Sequence, residues 1–312
     1  MKKKQHYLAS LSLGIVLFVS IIGIYFWSNT EVFSAETPLE AQNNMPTPVG
    51  ILKKNPELTD KGALNLDFAD TDRSIGTPGK VSKLYINEES KDKGHVYVKV
   101  TNVKESDIRV VVVLSSKLNE VGQEMTRSYK EGYYPLISGS GEYFLLILAR
   151  NEKDLFNEVH RVIFHAQFSK EDAFSYSNVN SIYTEESELA KKAYELAGNL
   201  NSNKAKANKI EKYIRKNYQY DETFPDDEEI MQTADHYFNQ THGVCYHFSS
   251  LFSSMMKSIG VPTREVRGWS DFTDKYHSWN EYLNEDGEWV LIDPTFKRII
   301  NGKYDKDPYT ER

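Results

Sequence analysis

The sequence of 312 residues contains a single cysteine and no excess of basic residues. One cysteine cannot form an intrachain disulfide or a cysteine-rich zinc site, so domains stabilised in either way are excluded. Lys and Arg number 38 against 45 Asp and Glu, which argues against nucleic acid as the main partner. Hydrophobic residues make up 39%, enough for a core, so disorder throughout is excluded. The cysteine is therefore either a small buried apolar side chain or a reactive thiol.

One long uncharged run lies near the N-terminus. Residues 8–27 read LASLSLGIVLFVSIIGIYFW, and three lysines precede them. A helix of this length spans about 30 Å, the thickness of one bilayer core. We therefore predict a cytoplasmic basic segment at 1–7 and a single-pass anchor in the cell membrane at 8–27, with the C-terminal part extracellular. A cleaved signal peptide, with cleavage after Ser34 and secretion of the rest, is the alternative.

The region that follows the run divides into two parts. Residues 28–80 are polar, hold five of the ten prolines and lack apolar periodicity, so we predict a disordered stalk that could include a short strand or helix packed on the next domain. Residues 81–170 contain short runs of alternating or continuous β-forming residues separated by glycine-containing turns. This pattern predicts a small antiparallel β-sandwich, for which we expect a binding or positioning role.

From residue 184 onward the apolar period is typical of helices, and we assign 184–312 to a second domain of α+β class. Phe248, Leu251, Phe252, Met255, Met256 and Ile259 lie on one helix face, which Gly260 and Pro262 end. Cys245 extends this face back to the first turn. At a helix N-terminus, unpaired N–H groups and the helix dipole favour a thiolate and can hold an oxyanion.

A predicted β-hairpin follows the helix. Asn284–Gly287 reads as the turn between strands at 278–283 and 288–293. A three-residue loop with Gly287 at a bulge would put His277 and Asp293 on the same face, within one cross-strand step. A carboxylate beside a histidine fixes its tautomer and orientation, so Cys245, His277 and Asp293 would form a set of nucleophile, base and orienter.

Each of these residues alone has an ordinary structural explanation. A cysteine on an apolar helix face is usually a core residue, and Asp-Pro commonly ends a strand. The combination is more specific. GVCYHF at 243–248, GVPTREVRG at 260–268, HSWNE at 277–281 and WVLIDPT at 289–295 resemble the transglutaminase-like superfamily over about 186–300.

The resemblance implies a papain-like α+β core with Cys245 as nucleophile, His277 as general base and acid, and Asp293 as orienter. It suggests a membrane-anchored or secreted member of bacterial type. Because the superfamily includes crosslinking enzymes, thiol proteases, deglycosylating amidases and inactive members, the resemblance does not fix the activity. We assign no metal ligands and expect no cofactor.

Other residues also lie near the predicted site. Asn239 and Gln240 lie shortly before Cys245, where papain-like enzymes often keep an oxyanion donor, and Trp279 shares a face with His277. We take these three as candidate oxyanion or substrate contacts, with a core position equally open for Trp279. His242 and His247 flank the cysteine, but neither has an obvious carboxylate partner, and we interpret them as loop and helix-surface residues. For Arg264 we expect a carboxylate partner in the core.

The function that we expect is thiol acyl transfer outside the cell. Cys245 would form a thioester with a protein or peptide carboxamide, and an amine or water would resolve it. A cysteine protease or amidase of the same fold is one alternative, and a non-catalytic scaffold that binds a partner at the cell surface is the other. The expected partners are a protein or peptide substrate and the membrane, not nucleic acid.

Overall fold

The structure is a computed structural model, and it describes residues 63–68, 82–87, 89–101, 108–120, 131–150, 156–179, 181–224, 234–296 and 304–306. All of these belong to one compact unit, Thr47–Arg312. The segments predicted as basic N-terminus (1–7) and membrane anchor (8–27) lie outside the described residues, as does most of the predicted stalk. Within the described ranges no helix has the length and apolar character needed to span a membrane.

Seven antiparallel strands form the first half of the described chain. They are β1 (Ala63–Phe68), β2 (Ser82–Asn87), β3 (His95–Thr101), β4 (Ile108–Leu114), β5 (Glu131–Pro135), β6 (Gly141–Arg150) and β7 (Phe156–Ala166). One sheet has the order β1-β2-β3-β5 and the other the order β4-β6-β7. Buried side chains from both sheets, such as Val98 and Leu145, belong to the same hydrophobic cluster. The two sheets therefore enclose one core, as expected of a sandwich.

Strand β1 lies inside the range 28–80, for which the sequence predicts a stalk. It pairs with β2 along its whole length, from Ala63 opposite Asn87 to Phe68 opposite Ser82. Residues 63–68 are thus part of a sheet, and the stalk prediction is wrong for them. This is the short packed strand that the sequence left open.

The second half combines four helices with a mainly antiparallel sheet. The elements are α1 (Glu188–Ala197), α2 (Asn203–Asn217), β8 (Gln219–Tyr220), α3 (Ala234–Gln240), β9 (His242–Gly243), α4 (Cys245–Ser258), β10 (Thr263–Ser270), β11 (Thr273–Leu283), β12 (Trp289–Ile292) and β13 (Tyr304–Lys306). The main sheet has the order β12-β11-β10-β13, and β8 pairs in parallel with β9. This arrangement is of the α+β class.

Helix α4 is the centre of the second half. Every residue after Cys245 in it is buried, and Phe252, Met255 and Met256 have no exposed surface. On its side toward the sheet, Ser249 Oγ is 2.7 Å from Ser278 Oγ, and Asn280 Nδ2 donates to the Ser249 carbonyl over 3.0 Å. These polar contacts fix how far α4 lies along β11, and so how the first turn of α4 stands relative to His277.

The segment that follows β7 contacts the second half of the described chain. Phe174, which follows β7, packs edge-on against Trp289 with ring centroids 5.3 Å apart. Lys257, 1% exposed near the end of α4, donates to Ser181 Oγ over 2.6 Å. Burial lowers the pKa of Lys257 to about 8, although the negative charge of Glu265 opposes this shift.

The lowered pKa of Lys257 leads to a prediction of how stability depends on pH. Its pKa is about 8 in the fold against 10.5 for an ordinary lysine, so between these values the unfolded chain binds more protons. Stability therefore rises with pH across this window, by roughly 3 kcal/mol from Lys257 alone. We expect urea denaturation to show this rise in the full-length protein in detergent, and Lys257→Met to lack it.

The matched control is Lys191→Met, which changes an exposed lysine of α1. This variant should keep the pH dependence of the unaltered chain. Parallel curves for the unaltered chain and Lys257→Met would contradict the prediction.

Candidate active site

Cys245 is the first residue of α4, as predicted from the sequence. Its predecessor Val244 is extended, with φ −99° and ψ 179°, so the chain enters the helix abruptly. The thiol is partly exposed. It stands where the free N–H groups and the dipole of α4 favour negative charge on sulfur and on a bound oxyanion.

The entry into α4 is fixed by His247. Its Nδ1 accepts a hydrogen bond from the Val244 N–H over 2.9 Å, and its ring lies 4.0 Å from that of Tyr237. A Cβ on residue 243 would overlap this imidazole, which explains the glycine there. His247 is buried, so the predicted surface position is wrong. Because Nδ1 accepts, His247 is a capping residue, and it is not available as the base.

His277 and Asp293 form a buried pair. His277 Nε2 lies 2.7 Å from Asp293 Oδ2, and the two residues are 3% and 0% exposed. The hairpin between them has the predicted odd loop: the Asn284 N–H donates to the Glu288 carbonyl over 2.9 Å, and Gly287 has φ 78°. The register prediction is confirmed, since this loop puts both side chains on one face.

Two more donors reach the carboxylate of Asp293. The Thr295 N–H donates to Oδ1 over 2.9 Å, and the Tyr304 hydroxyl donates to Oδ2 over 2.8 Å. Sequence reasoning missed Tyr304, because a lone tyrosine in the polar segment NGKYDKD carries no signal of a site. The orienting carboxylate is therefore held by three donors.

The pKa of His277 connects the pair to the thiol. Burial by itself lowers this pKa, but the hydrogen bonds and charges of Asp293 and Cys245 outweigh burial and raise it from 6.5 to about 9. At neutral pH the imidazole thus holds a proton. Since Nε2 is bonded to Asp293, Nδ1 is the nitrogen that serves Cys245. Cys245, His277 and Asp293 are brought together, so the thiol lies beside an imidazolium, the kind of partner that activates a cysteine nucleophile.

The remaining candidates have other surroundings. Asn239 Nδ2 donates to the Asp235 carbonyl of its own helix over 3.3 Å, and the Gln240 amide contacts the His236 ring. Trp279 has no exposed surface, and its ring stacks at 6.2 Å from that of His277. Trp279 thus takes the core position that the sequence left open and supports the histidine ring. Arg264 pairs with Glu281 as expected, its Nε donating over 2.7 Å.

Tyr220 is a further residue that sequence reasoning missed. Strand β8 pairs in parallel with β9, which places Tyr220 opposite Gly243, two residues before the cysteine. Its side chain is 43% exposed. Burial and the charges of Cys245, Glu222 and Asp293 raise its pKa. Tyr220 is therefore an exposed tyrosine within the electrostatic reach of the thiol.

The geometry defines the class of site, a cysteine nucleophile with a histidine oriented by a buried carboxylate. Comparison with protein families agrees with it. The family model described as "Transglutaminase-like superfamily" matches residues 190–294, about a third of the chain. The resemblance read from the sequence is thus confirmed: residues 190–294 match the transglutaminase-like superfamily.

Solved structures give more distant likenesses. A putative cysteine protease from Cytophaga hutchinsonii is 23% identical over 35% of this chain and 37% of that chain, with TM-score 0.32. The periplasmic domain of TgpA from Pseudomonas aeruginosa is 13% identical over 73% and 75%, with TM-score 0.30. Red sea bream transglutaminase is 13% identical over 64% and 47%, with TM-score 0.26. The chain thus spans well under half of the first of these proteins, and the search of curated proteins gave no match.

His277 in the sheet and His247 in the helix have different expected effects on the reactivity of Cys245. His277→Asn removes the group that takes the thiol proton, so alkylation of Cys245 by iodoacetamide at neutral pH should slow at least about tenfold. His247→Asn is the matched control, because an amide oxygen can replace Nδ1 as the acceptor from Val244. We expect this variant to alkylate within about threefold of the unaltered chain. Equal rates for the two variants would contradict the assignment of His277.

Proposed function

We propose that the chain is an exported thiol acyltransferase that acts on a carboxamide of a protein or peptide. The observation that carries the proposal is the His277–Asp293 pair, 2.7 Å apart and buried, next to a cysteine at a helix N-terminus. A scaffold has no need of this arrangement, because a buried ion pair contributes little to stability and costs desolvation. A nucleophile needs it, since only the thiolate attacks a carbonyl.

The first half-reaction forms a thioester. The Cys245 thiolate attacks the carboxamide carbon, and the N–H groups at the start of α4 hold the oxyanion that forms. The proton on His277 Nδ1 passes to the leaving nitrogen, the C–N bond breaks, and ammonia or a peptide amine departs. Asp293 keeps the ring oriented while the positive charge on His277 is lost.

The second half-reaction releases the acyl group. His277, now neutral, takes a proton from the incoming amine or water, which attacks the thioester carbonyl. The C–S bond breaks, the thiolate returns, and His277 is again an imidazolium. A lysine amine gives an isopeptide crosslink, and water gives hydrolysis, so the cysteine protease or amidase reading shares the first half-reaction.

Replacement of the cysteine tests this chemistry. We incubate the full-length protein in detergent with a fluorescent primary amine and a glutamine-containing protein. Amine incorporation should occur with the unaltered chain and fall at least about a hundredfold in Cys245→Ala, because no thioester forms. Cys245→Ser, which keeps a polar group beside His277, should be similarly inactive. Comparison of its unfolding with that of the unaltered chain shows whether the fold is intact.

The products distinguish the candidate functions. Cleavage without incorporation, dependent on Cys245, would support the protease. Incorporation that persists in Cys245→Ala would overturn the proposal. A correctly folded protein whose thiol alkylates only after denaturation would favour the non-catalytic scaffold.

We also propose that residues 8–27 anchor the chain in the cell membrane and that the site faces outward, so that its substrate is a protein or peptide at the cell surface. The uncharged run behind three lysines supports this proposal. Secretion after cleavage behind Ser34 is the alternative. The single thiol of the chain makes the location measurable.

A membrane-impermeant maleimide applied to intact cells should label Cys245, because it is the only cysteine. Cys245→Ala should give no label on this chain. Label that appears only after the cells are opened would contradict export. The mass of the labelled protein then tells whether the N-terminal segment is retained, as an anchor requires.

A further inference from the structure

One oxygen of the orienting carboxylate serves two residues. Asp293 Oδ2 lies 2.7 Å from His277 Nε2 and accepts the Tyr304 hydroxyl over 2.8 Å. The backbone N–H of Thr295 occupies Oδ1. The phenol therefore acts on the same oxygen that orients the histidine.

The backbone delivers Tyr304 to this position. Strand β13 pairs with β10, and Tyr304 lies opposite Ser270, on the same face as Gly268 and His277. The tyrosine ring packs 4.9 Å from Trp279 and 5.6 Å from Phe272. Tyr304 also lies beyond the region 190–294 that the family model matches. Tyr304 thus reaches the site from outside the matched region.

We propose that Tyr304 is a positioning residue that sets, through Asp293, how firmly His277 holds its proton. A phenol O–H that donates to Oδ2 draws negative charge away from the bond to His277. Without it, the same carboxylate oxygen would bind the imidazolium more strongly. Tyr304 does not touch the substrate in this role.

The phenol keeps its proton while the site works. Burial raises the pKa of Tyr304 well above its ordinary range, and the charge and hydrogen bond of Asp293 raise it further. The hydroxyl therefore stays a donor across the pH range in which His277 titrates. Its hydrogen bond to Asp293 is therefore present throughout that range.

Other groups act on the same pair and stay in place when Tyr304 is changed. The titratable and charged groups that the structure couples to His277 and Asp293 are Cys245 on α4, Tyr220 on β8, and Glu211 on α2 with its partner Arg215. None of them bonds to Tyr304 in the hydrogen bonds described for it. A change at Tyr304 thus removes its own hydrogen bond to Asp293 and leaves these other interactions in place.

Tyr304→Phe in the full-length protein in detergent tests the inference. The readout is the pH dependence of Cys245 alkylation by iodoacetate, an anionic reagent that reacts faster while His277 is an imidazolium. We expect the alkaline limb of this profile to move to higher pH by about half a unit to one unit, as for the loss of one hydrogen bond. ¹³C-labelled histidine, followed by NMR, reports the same shift directly.

The matched control is Tyr218→Phe. Its hydroxyl donates to the Phe238 carbonyl over 2.6 Å, so the variant also loses one phenol hydrogen bond in this domain. We expect it to lose a similar amount of stability without a shift of the alkaline limb. 3-Fluorotyrosine at residue 304, a stronger donor, should move the limb in the opposite direction to Tyr304→Phe.

The inference rests on the proposed site but not on acyl transfer, because alkylation needs no substrate. Suppose that the unaltered chain shows an alkaline limb assigned to His277 and that Tyr304→Phe shows this limb at the same pH. Tyr304 then has only a structural role, and the inference alone is overturned. If the unaltered chain shows no such limb, both the proposed function and the inference are overturned. If the limb shifts while amine incorporation is absent, only the acyl transfer fails.

Discussion

The site depends on a carboxylate that has no contact with solvent. Asp293 is 0% exposed, and a buried carboxylate is costly unless donors compensate for its lost hydration. Its donors come from β11 (His277), from the turn after β12 (Thr295) and from β13 (Tyr304). These three segments must therefore keep their register for Asp293 to keep its donors. The same requirement orients the imidazole, so fold and chemistry depend on one group.

A second constraint places the thiol against that pair. Helix α4 can move little, because it is buried along its length and bonded to β11 through Ser249. Its first turn is set by His247, whose ring fits only beside a glycine at 243. The helix start that favours a thiolate is thus fixed by packing. The imidazolium beside Cys245 is positioned separately, by the sheet that contains His277.

The parts of the site that depend on local sequence were predicted, and the parts that depend on distant pairing were not. A helix start is visible around Cys245, and an odd loop around Gly287 follows from a few residues, so both features could be read from the chain. The cap by His247 could not, because the ring occupies space that is open only where Gly243 has no side chain. Tyr304 lies 11 residues after Asp293 and reaches it because β13 pairs with β10, a choice of partner strand that no local pattern shows. Strand β1 could be left open but not located within 28–80 for the same reason, since its pairing with β2 is not local to 63–68.

The strands that carry His277 and Tyr304 differ in the length of their pairings. His277 lies on β11, which pairs with β10 through seven residues. Tyr304 lies on a strand at the sheet edge that pairs through three residues. Short edge elements open at lower free energy than the core. A change in the pairing of β13 would therefore alter the hydrogen bond from Tyr304 to Asp293 and reach His277 through one shared oxygen.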